Sequence, residues 1–441
     1  MNILENTNGN DIVTALIQIK RILEENIQHN IVKEELINIA RKKKNTYPNI
    51  WKDVRKLFGV ILKLLKKNNI NKDLMKKLYF TEVEKLGKIY LIENNTIMSI
   101  PLYHEKVKVV STCSKSNLNN TTHILTECNK VFVIGSNEWG RAGIDYNLTK
   151  KINVWTEIES LENCKNIFSG YSYTFFVTNT GIKACGCGDN GRLGIGEGFN
   201  NSNNLNNVIL DEDIKKIGAA STNSFFLSKK GEVFSCGSKE YLGYHSDEDQ
   251  IVPKKVVLPT EYPIVDISCQ HGAYHALCLD TNGSVYAWGH NRVGQLGIIT
   301  TEKIVTLPIK IKFKVPIKKI SGGWGASSFI DFDNRIYSFG RNDCGQTGWE
   351  LEDSFKTNDS RETLISCILD PLPFRDVTDI FCCQNITYIL KNNYERITLQ
   401  YFGCIKGENY YDSPQNILGI EAFYQKNINV CSDNILFITD N

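Results

Sequence analysis

The glycine-rich run Gly186-Cys-Gly-Asp-Asn-Gly191 has the spacing of the G-x-G-x-x-G fingerprint, whose backbone amides bind the phosphates of a dinucleotide. That chemistry requires the glycines to lie at the turn between a strand and a helix of a βαβ unit. Here the same glycines recur at fixed positions elsewhere in the chain, so we interpret them as turn residues that need a positive φ. We therefore expect no cofactor at this run.

The cysteines and histidines lack the spacing of a metal site. Cys185-x-Cys187 and Cys382-Cys383 do not form the two Cys-x₂₋₄-Cys pairs that zinc prefers. His271 and His275 are four residues apart, but no Cys or carboxylate set accompanies them, and we interpret His275 as a hydrogen-bonded core residue. No Walker sequence, His-Glu-x-x-His or Ser-His-Asp order is present, so the sequence predicts neither a metal site nor catalytic residues.

The glycines are arranged as an internal repeat. In residues 285–297, V-Y-A-W-G-H-N-R-V-G-Q-L-G, glycines fall at one position and then five and eight residues later. The first glycines of successive copies are 51, 51, 52 and 51 residues apart. A period of about 50 residues indicates a propeller, solenoid or array. The other copies are residues 131–143, 182–194 and 336–348, with a shortened copy at residues 233–243.

Each repeat predicts four short strands. An apolar first strand such as Ile214–Ile217 is followed by a second such as Ser224–Ser228, then by a Gly or Asn turn and the glycine-ending third strand. The fourth carries proline, as in Pro253–Pro259. Four such strands form one antiparallel blade, and proline places the fourth at its outer edge.

This pattern resembles the regulator of chromosome condensation repeat family over nearly all of residues 87–441. The resemblance implies a seven-bladed β-propeller with repeats of about 51 residues. A weak sixth copy runs from Val377 to Gly403, and an insertion from Trp349 to Asp370 precedes it. Insertions that break a repeat on one rim are often binding elements, although an ornamental loop is the alternative.

The last blade is predicted to be shared between the two ends of the chain. The terminal Ile435–Asn441 reads as a second strand with the start of its turn, and Gly87–Ile92 reads as the missing third strand. We therefore expect the N-terminal and C-terminal strand pairs to form one blade, which removes an open sheet edge.

Residues 1–85 predict a small all-α domain, separate from the propeller of residues 86–441. Apolar residues at spacings of three and four favour several helices. Residues 41–88 hold fifteen Lys or Arg and four Asp or Glu. This segment is predicted to be a docking surface for nucleic acid, an acidic protein or a membrane surface, or else a solvated face. Its candidate residues are Lys42, Lys43, Lys44, Lys52, Arg55, Lys56, Lys63, Lys66 and Lys67.

The polar residues of the repeated loops are the candidate interaction site, because their common position should place them on one face. The Asn of Gly-x-Asn-x-x-Gly is expected to satisfy the backbone of its own turn, which leaves its neighbours to provide specificity. Exposed Trp would anchor an interface. The candidates are Glu138, Trp139, Arg141, Asp189, Arg192, His290, Arg292, Trp324, Arg341, Asp343 and Trp349.

Composition favours an intracellular protein. The chain has 441 residues and a net charge of +2, and its first residues have neither a basic n-region nor an apolar h-region. The 14 cysteines mostly fall inside strand patterns, which is typical of small buried hydrophobes. We therefore expect a cytoplasmic or nuclear location and no membrane span.

These features favour a non-enzymatic interaction platform or assembly subunit. The family resemblance implies an alternative, guanine-nucleotide exchange on a Ran-like small GTPase, which would act by stabilising the nucleotide-free state. A second alternative is association with nucleic acid or chromatin through residues 41–88. The expected partner is a protein, either a small GTPase or a larger assembly.

Overall fold

The computed structural model describes only part of the chain, and all of that part lies within one compact unit, residues 87–441. The predicted helical domain of residues 1–85 and its basic docking surface lie outside the described residues, so both stay predictions. The described ranges are 88–93, 96–100, 107–113, 120–147, 149–196, 202–269, 272–298, 300–349, 370–393, 396–404, 410–416, 425–431 and 434–439.

These ranges form β-strands joined by tight loops. The first strands are β1 (Lys88–Glu93), β2 (Thr96–Ile100), β3 (Val107–Cys113), β4 (Thr121–Thr126), β5 (Val131–Ser136), β6 (Lys151–Glu157), β7 (Asn166–Ser169), β8 (Tyr173–Thr178), β9 (Gly181–Gly186) and β10 (Ser202–Asn207). The next are β11 (Ile214–Ala219), β12 (Asn223–Ser228), β13 (Val233–Gly237), β14 (Gln250–Val256), β15 (Ile264–Ser268), β16 (His275–Asp280), β17 (Val285–His290) and β18 (Ile304–Lys310). The last are β19 (Ile317–Gly322), β20 (Ala326–Asp331), β21 (Ile336–Gly340), β22 (Val377–Cys382), β23 (Ile386–Asn393), β24 (Arg396–Cys404), β25 (Tyr410–Asn416), β26 (Gln425–Cys431) and β27 (Asn434–Thr439). Short 3₁₀ turns cover Glu138–Gly140, Asp189–Gly191 and Lys239–Tyr241.

The strands form an all-β propeller of antiparallel sheets. Six sheets have four strands, in the orders β2-β1-β27-β26, β3-β4-β5-β6, β7-β8-β9-β10, β11-β12-β13-β14, β15-β16-β17-β18 and β22-β23-β24-β25. The β19-β20-β21 sheet has three. The prediction of seven blades, each with four strands, is therefore wrong: the described residues form six complete blades.

The three-stranded sheet differs from the other sheets at its outer edge, where β21 has no paired strand among the described residues. Residues 350–369, which follow this sheet in the sequence, are not among the described residues. Two groups from the flanking residues bond the β21 backbone at this edge. The Leu372 N–H donates to the Ile336 carbonyl at 2.7 Å, and the Trp349 Nε1–H donates to the Ser338 carbonyl at 3.2 Å.

The prediction that the two ends of the chain share a sheet is confirmed. Strand β1 pairs antiparallel with β27, from Lys88 opposite Thr439 to Ile92 opposite Ile435. Strands β2 and β26 lie outside this pair in the same sheet. A strand pair at one end of the described chain is thus closed by a pair at the other, which satisfies backbone groups that would form an open edge.

Alternation within the strands builds the core between neighbouring sheets. The first strands of successive sheets lie beside one another, and their apolar pair, such as Ile264 and Ile267, is buried. Aromatic side chains fill the space farther out, where Phe225 and Trp288 meet edge to face at 5.5 Å. The proline-bearing β14 forms the outer edge of its sheet, as predicted.

Antiparallel order places two loops at the same end of each sheet. The loop between the first and second strands lies beside the loop after the third strand, because His275 at the start of β16 pairs with Gly289 near the end of β17. We call this the loop end. The tight turns between second and third strands lie at the other end, the turn end. Within the described ranges, no helix is long and apolar enough to cross a membrane.

Candidate interaction surface

A glycine at the end of the third strand precedes the following loop in six of the described sheets, and Gly289 shows why. Its φ is +103°, in the region that side chains rarely adopt. A Cβ at this position would lie 2.5 Å from the Tyr274 carbonyl oxygen. The glycine therefore lets the third strand leave the sheet directly beside the neighbouring loop, and it brings the two loops of each blade together.

The loop asparagines serve their own turns, which confirms the sequence interpretation. The Asn342 Nδ2–H donates to the Trp349 carbonyl at 3.0 Å, and its Oδ1 accepts from the Thr347 amide at 3.0 Å. Asn137 bonds the backbone of Ile144, Thr149 and Ala142 in the same way. These buried asparagines fix the loop shape and are not available to a partner.

Arg141 and Arg192 were predicted to lie on the exposed face, and this placement is wrong. Arg141 is 0% exposed and Arg192 is 6% exposed. The Arg192 guanidinium lies 5.6 Å from the centre of the Tyr173 ring and donates to the carbonyls of Cys187 and Ser221. The long side chain turns inward because these buried carbonyls need donors.

The residue at this loop position, Arg or Gln, links consecutive sheets through its backbone. Its carbonyl oxygen accepts a hydrogen bond from a hydroxyl group at the start of the second strand of the next sheet. We call each such bond a regular junction. The pairs are Thr174 with Arg141 at 3.1 Å, Ser224 with Arg192 at 2.6 Å, Ser327 with Gln295 at 2.7 Å and Thr387 with Gln346 at 2.8 Å.

The shortened copy uses another donor. Tyr241 occupies the corresponding position, and the next sheet has Ala276 in place of the hydroxyl residue. The Trp288 Nε1–H donates to the Tyr241 carbonyl at 3.1 Å instead. We call this the shortened junction. Because the loop lacks two residues, Tyr241 remains half-buried at the surface, where the regular copies have a buried Arg or Gln.

Three predicted residues do come together on the β19–β21 sheet. Trp324 lies in the β19–β20 loop and is 37% exposed. The Arg341 guanidinium lies 4.8 Å from the centre of its ring, a cation–π arrangement. Arg341 also pairs with Asp343 and donates to Asn385 Oδ1 of the next sheet at 3.3 Å.

A second cluster lies on the two preceding sheets. The rings of Tyr241 and Tyr274 meet edge to face at 5.7 Å, and Tyr274 lies 6.3 Å from the ring of His290. Arg292 is exposed beside them. We name the two clusters together the aromatic–arginine rim, which consists of Tyr241, Tyr274, His290, Arg292, Trp324 and Arg341.

The two clusters are continuous. The Trp324 indole lies against Gly272 of the preceding sheet, where an added Cβ would be 3.1 Å from Cδ1. A Cβ at Gly325 would contact both Arg341 and Val293. The rim therefore extends across neighbouring loops of three sheets, from Tyr241 to Arg341, and Arg341 bonds Asn385 of the next sheet.

Four predicted residues lie apart from the rim. Glu138 and Trp139 lie in the 3₁₀ turn of the β3–β6 sheet, partly exposed, and this turn packs against the next sheet. Asp189 is exposed and pairs with Arg192 at 3.0 Å. Trp349 is half-buried, packs with the apolar core beside Phe374, and uses its indole N–H within the fold.

Burial shifts the pKa values of three titratable side chains at or beside the rim. Partial burial raises the pKa of Tyr241 to about 12, and burial together with the nearby Arg292 charge lowers the pKa of His290. Burial lowers the pKa of His275 to about 3. His275 is 1% exposed and bonds Ser327 Oγ at 2.8 Å, as expected of a packed core histidine.

His275 does not accept the proton of the neighbouring Ser327 hydroxyl, so this pair is not arranged as a base and a nucleophile. Ser327 Oγ donates its proton to the Gln295 carbonyl, so it accepts from the Nε2–H of His275. In the part of the chain that the structure describes, no group of three or more His, Cys, Asp or Glu side chains is arranged to hold a metal ion.

Sequence reasoning missed Tyr241, Tyr274 and Asn385. The predicted residues lie mostly in the loops after the third strands, whereas Tyr274 and Asn385 lie in loops before the second strands. Aligning the loop before the second strand would have placed Tyr274, Trp324 and Asn385 at related positions. The shortening of the loop at Tyr241 is also visible in the sequence.

The fold and the loops define a β-propeller built from one repeated blade. Residues 282–330 match the family described as "Regulator of chromosome condensation (RCC1) repeat", and a second description of this repeat matches residues 264–295 and 317–346. The chain therefore carries RCC1-type repeats, which confirms the resemblance recognised from the glycine pattern.

Similar proteins include both short and very long chains. Human E3 ubiquitin-protein ligase HERC2 is 26% identical over 201 residues, which cover 42% of this chain and 4% of HERC2. Human Regulator of chromosome condensation is 29% identical over 173 residues, 38% of this chain and 40% of that protein. The chain thus matches less than half the length of either relative. Prp20p from Saccharomyces cerevisiae superposes with a TM-score of 0.62 at 15% identity, covering 82% of this chain and 94% of Prp20p, and at that identity it supports the fold alone.

Proposed function

We propose that this propeller is a non-enzymatic interaction platform that binds a partner protein through the aromatic–arginine rim. The observation that carries the proposal is the continuous set of Trp, Tyr, His and Arg side chains across the loops of three neighbouring sheets. Trp, Tyr and Arg contribute most of the binding energy in protein interfaces. The β19–β21 sheet is, in this proposal, the incomplete seventh blade of the platform.

The rim is arranged as a preformed surface. Trp324 is held between Gly272 and the Arg341 guanidinium, and Arg341 is in turn held by Asp343 and Asn385. Side chains already held by their neighbours lose less conformational entropy when they bind. The buried asparagines bond the backbone of the loops, and the glycines connect these loops to the ends of the strands. The rim residues are therefore carried by loops of fixed shape.

The test compares two exposed aromatic residues of one sheet. Trp324 lies at the loop end, and Phe332, 64% exposed, lies at the turn end of the same β19–β21 sheet. The full-length chain, its Trp324→Ala variant and its Phe332→Ala variant are used as baits in native extract at moderate salt. We expect one stoichiometric partner to be captured by wild type and Phe332→Ala and lost with Trp324→Ala. Loss with Phe332→Ala alone would assign the interface to the turn end.

Guanine-nucleotide exchange on a Ran-like small GTPase is a second candidate. It is favoured by the similarity to Regulator of chromosome condensation and by the fold shared with Prp20p, whose structure is described together with binding to Gsp1p and histones. Exchange needs no catalytic side chain, because a platform that binds the nucleotide-free GTPase more tightly accelerates nucleotide release.

Release of labelled GDP from a panel of purified small GTPases tests this candidate. If the candidate is right, the full-length chain accelerates release from at least one GTPase, and Trp324→Ala reduces the acceleration while Phe332→Ala does not. If no GTPase in the panel responds, the platform acts without exchange, and the capture experiment identifies its partner.

A further inference from the structure

We propose that the aromatic–arginine rim recognises an acidic segment of the partner protein, whose separate carboxylates pair with Arg292 and Arg341. This inference rests on the proposed function and adds the chemistry of the partner to it. It follows from the charges of the rim, from the groups already bonded there and from the charges that surround it.

Arg292 is the first anchor. Its side chain is exposed and makes no ion pair with the residues that the structure describes. Its neighbours Tyr241 and His290 carry no negative charge at pH 7, so neither of them pairs with the guanidinium. An exposed arginine beside aromatic rings can bind a carboxylate with two parallel hydrogen bonds.

Arg341 is the second anchor, and it is already oriented. Its Nη1 donates to Asn385, its Nη2 donates to Asp343, and its plane lies against Trp324. A guanidinium has five N–H groups, so donors remain after these two bonds. The side chain is 25% exposed, and a carboxylate can reach it from solvent.

A cationic partner segment does not fit this rim. An aromatic face attracts a cation when the face is free. Arg341 already lies against the Trp324 face, and Arg292 lies close enough to influence the titration of Tyr241 and His290. A Lys or Arg of the partner would therefore meet two positive charges at the rings.

A polyanion such as nucleic acid is also disfavoured. The loops of Tyr241, Arg292 and Arg341 carry five exposed carboxylates and two exposed lysines: Glu240, Asp247, Glu248, Glu302 and Asp343, with Lys239 and Lys303. A continuous row of phosphates would come close to several of these carboxylates, and binding of that kind depends on many cations acting together. A peptide can instead present single carboxylates at the two arginines and place apolar or aromatic side chains on the rings between them.

The experiment uses a displayed library of random 12-residue peptides, selected on the full-length chain at moderate salt. We expect the selected peptides to be enriched in Asp and Glu together with aromatic residues. One selected peptide, labelled with fluorescein, is then titrated by fluorescence anisotropy against wild type and variants. A version with Asn and Gln in place of Asp and Glu should bind at least about tenfold more weakly.

The variants separate the rim from general charge. Arg292→Ala and Arg341→Ala should each weaken peptide binding about tenfold, and Arg292→Lys should weaken it less because it keeps the charge but loses the bidentate geometry. Lys230→Ala removes one positive charge at the turn end, where Lys230 is exposed and pairs with Glu212, and should leave affinity unchanged.

Three outcomes would overturn the inference. These are selection of basic peptides or of none, equal binding by wild type and both arginine variants, and displacement of the peptide by a 20-nucleotide oligo(dT) that itself requires Arg292 and Arg341. Each leaves the proposed function open, because loss of partner capture with Trp324→Ala is measured independently of the partner's charge.

Discussion

The regular junctions and the shortened junction solve one structural problem with different side chains. In a regular junction, a buried Arg or Gln offers its carbonyl to a hydroxyl of the next sheet, as Arg141 does to Thr174. In the shortened junction, Tyr241 offers its carbonyl to the Trp288 indole. In both kinds of junction the acceptor is a backbone carbonyl at the same position of the repeat. The donor group and the side chain of the acceptor residue differ between the copies.

The difference also separates scaffold from surface. In the regular copies the Arg or Gln side chain at this position is buried within the loop. Arg141 and Arg192 are therefore not available at the surface. The shortened copy has Tyr241 at this position, and its half-buried ring lies at the start of the aromatic–arginine rim. A deletion of two residues thus coincides with the beginning of the proposed interface.

The largest expected effect is removal of the buried arginine side chain that a regular copy places inside its loop. Arg192→Ala removes the donors to the Cys187 and Ser221 carbonyls and leaves these buried oxygens unpaired. We expect the free energy of unfolding to fall by about 3 kcal/mol in urea titrations. Arg192→Gln should lose less, because Gln occupies the corresponding position at Gln295 and Gln346. An Arg192→Ala variant as stable as wild type would contradict the internal role.

The second effect depends on pH and involves His275, which follows the shortened junction. In the unfolded chain its pKa is about 6.5 and in the fold it is about 3, so between these values only the unfolded state binds the proton. This contribution to stability is complete above pH 6.5 and is lost as the pH falls. From pH 6.5 to 4.5 we expect a loss of about 2 kcal/mol from this group.

His275→Gln keeps a donor for Ser327 Oγ and removes the titration. The measurement is the free energy of unfolding of both chains at several pH values. The slope for the variant should be shallower by about 1.4 kcal/mol per pH unit near pH 5. Parallel slopes for the two proteins would show that His275 does not couple folding to protonation.

The third prediction compares the two kinds of junction directly. Trp288→Phe removes the N–H donor to Tyr241 and should cost about 2 kcal/mol, because the carbonyl loses its bond and a small void forms. Thr174→Val removes a hydroxyl from a regular junction, where the Cys185 Sγ also approaches the Arg141 carbonyl at 3.5 Å, and should cost about 1 kcal/mol or less. The reverse order in chemical denaturation would contradict the assignment of Trp288.

The smallest expected effect is at the surface. Arg292→Ala should change the free energy of unfolding by no more than about 0.5 kcal/mol, because an exposed arginine without an ion pair in the described region contributes little to folding. Comparing the free energies of unfolding of Arg292→Ala and Arg192→Ala in the same urea assay measures how differently an exposed and a buried arginine contribute to folding. A loss comparable to that of Arg192→Ala would place Arg292 in the scaffold.

Much of this architecture could be predicted from the sequence. The glycine period, the proline of β14 and the joined ends of the chain led to the blade order and to the pairing of β1 with β27. These features depend on local rules, since a position with φ near +100° requires glycine and an outer edge tolerates proline. The third-strand loops were correctly recognised as one repeated position.

The direction of individual side chains could not be predicted. Arg192 and Arg292 lie at different positions of the repeated loop, and spacing alone does not show which is buried. Arg192 is buried because it donates to carbonyls in its own loop and in the next sheet. Trp349 and Trp324 were both expected as anchors, and the nearby β21 edge draws Trp349 inward. These outcomes depend on contacts between blades that the spacing within one blade does not contain.

The most direct test of the proposed platform is a hydrogen-exchange footprint of the purified complex with its captured partner. We predict slower amide exchange on binding in loop-end residues 238–242, 272–274, 290–294, 323–325 and 341–343. Exchange in the turn-end residues 229–231, 281–283 and 332–334 should be unchanged. Protection confined to the turn-end residues would contradict the claim that the aromatic–arginine rim is the binding surface.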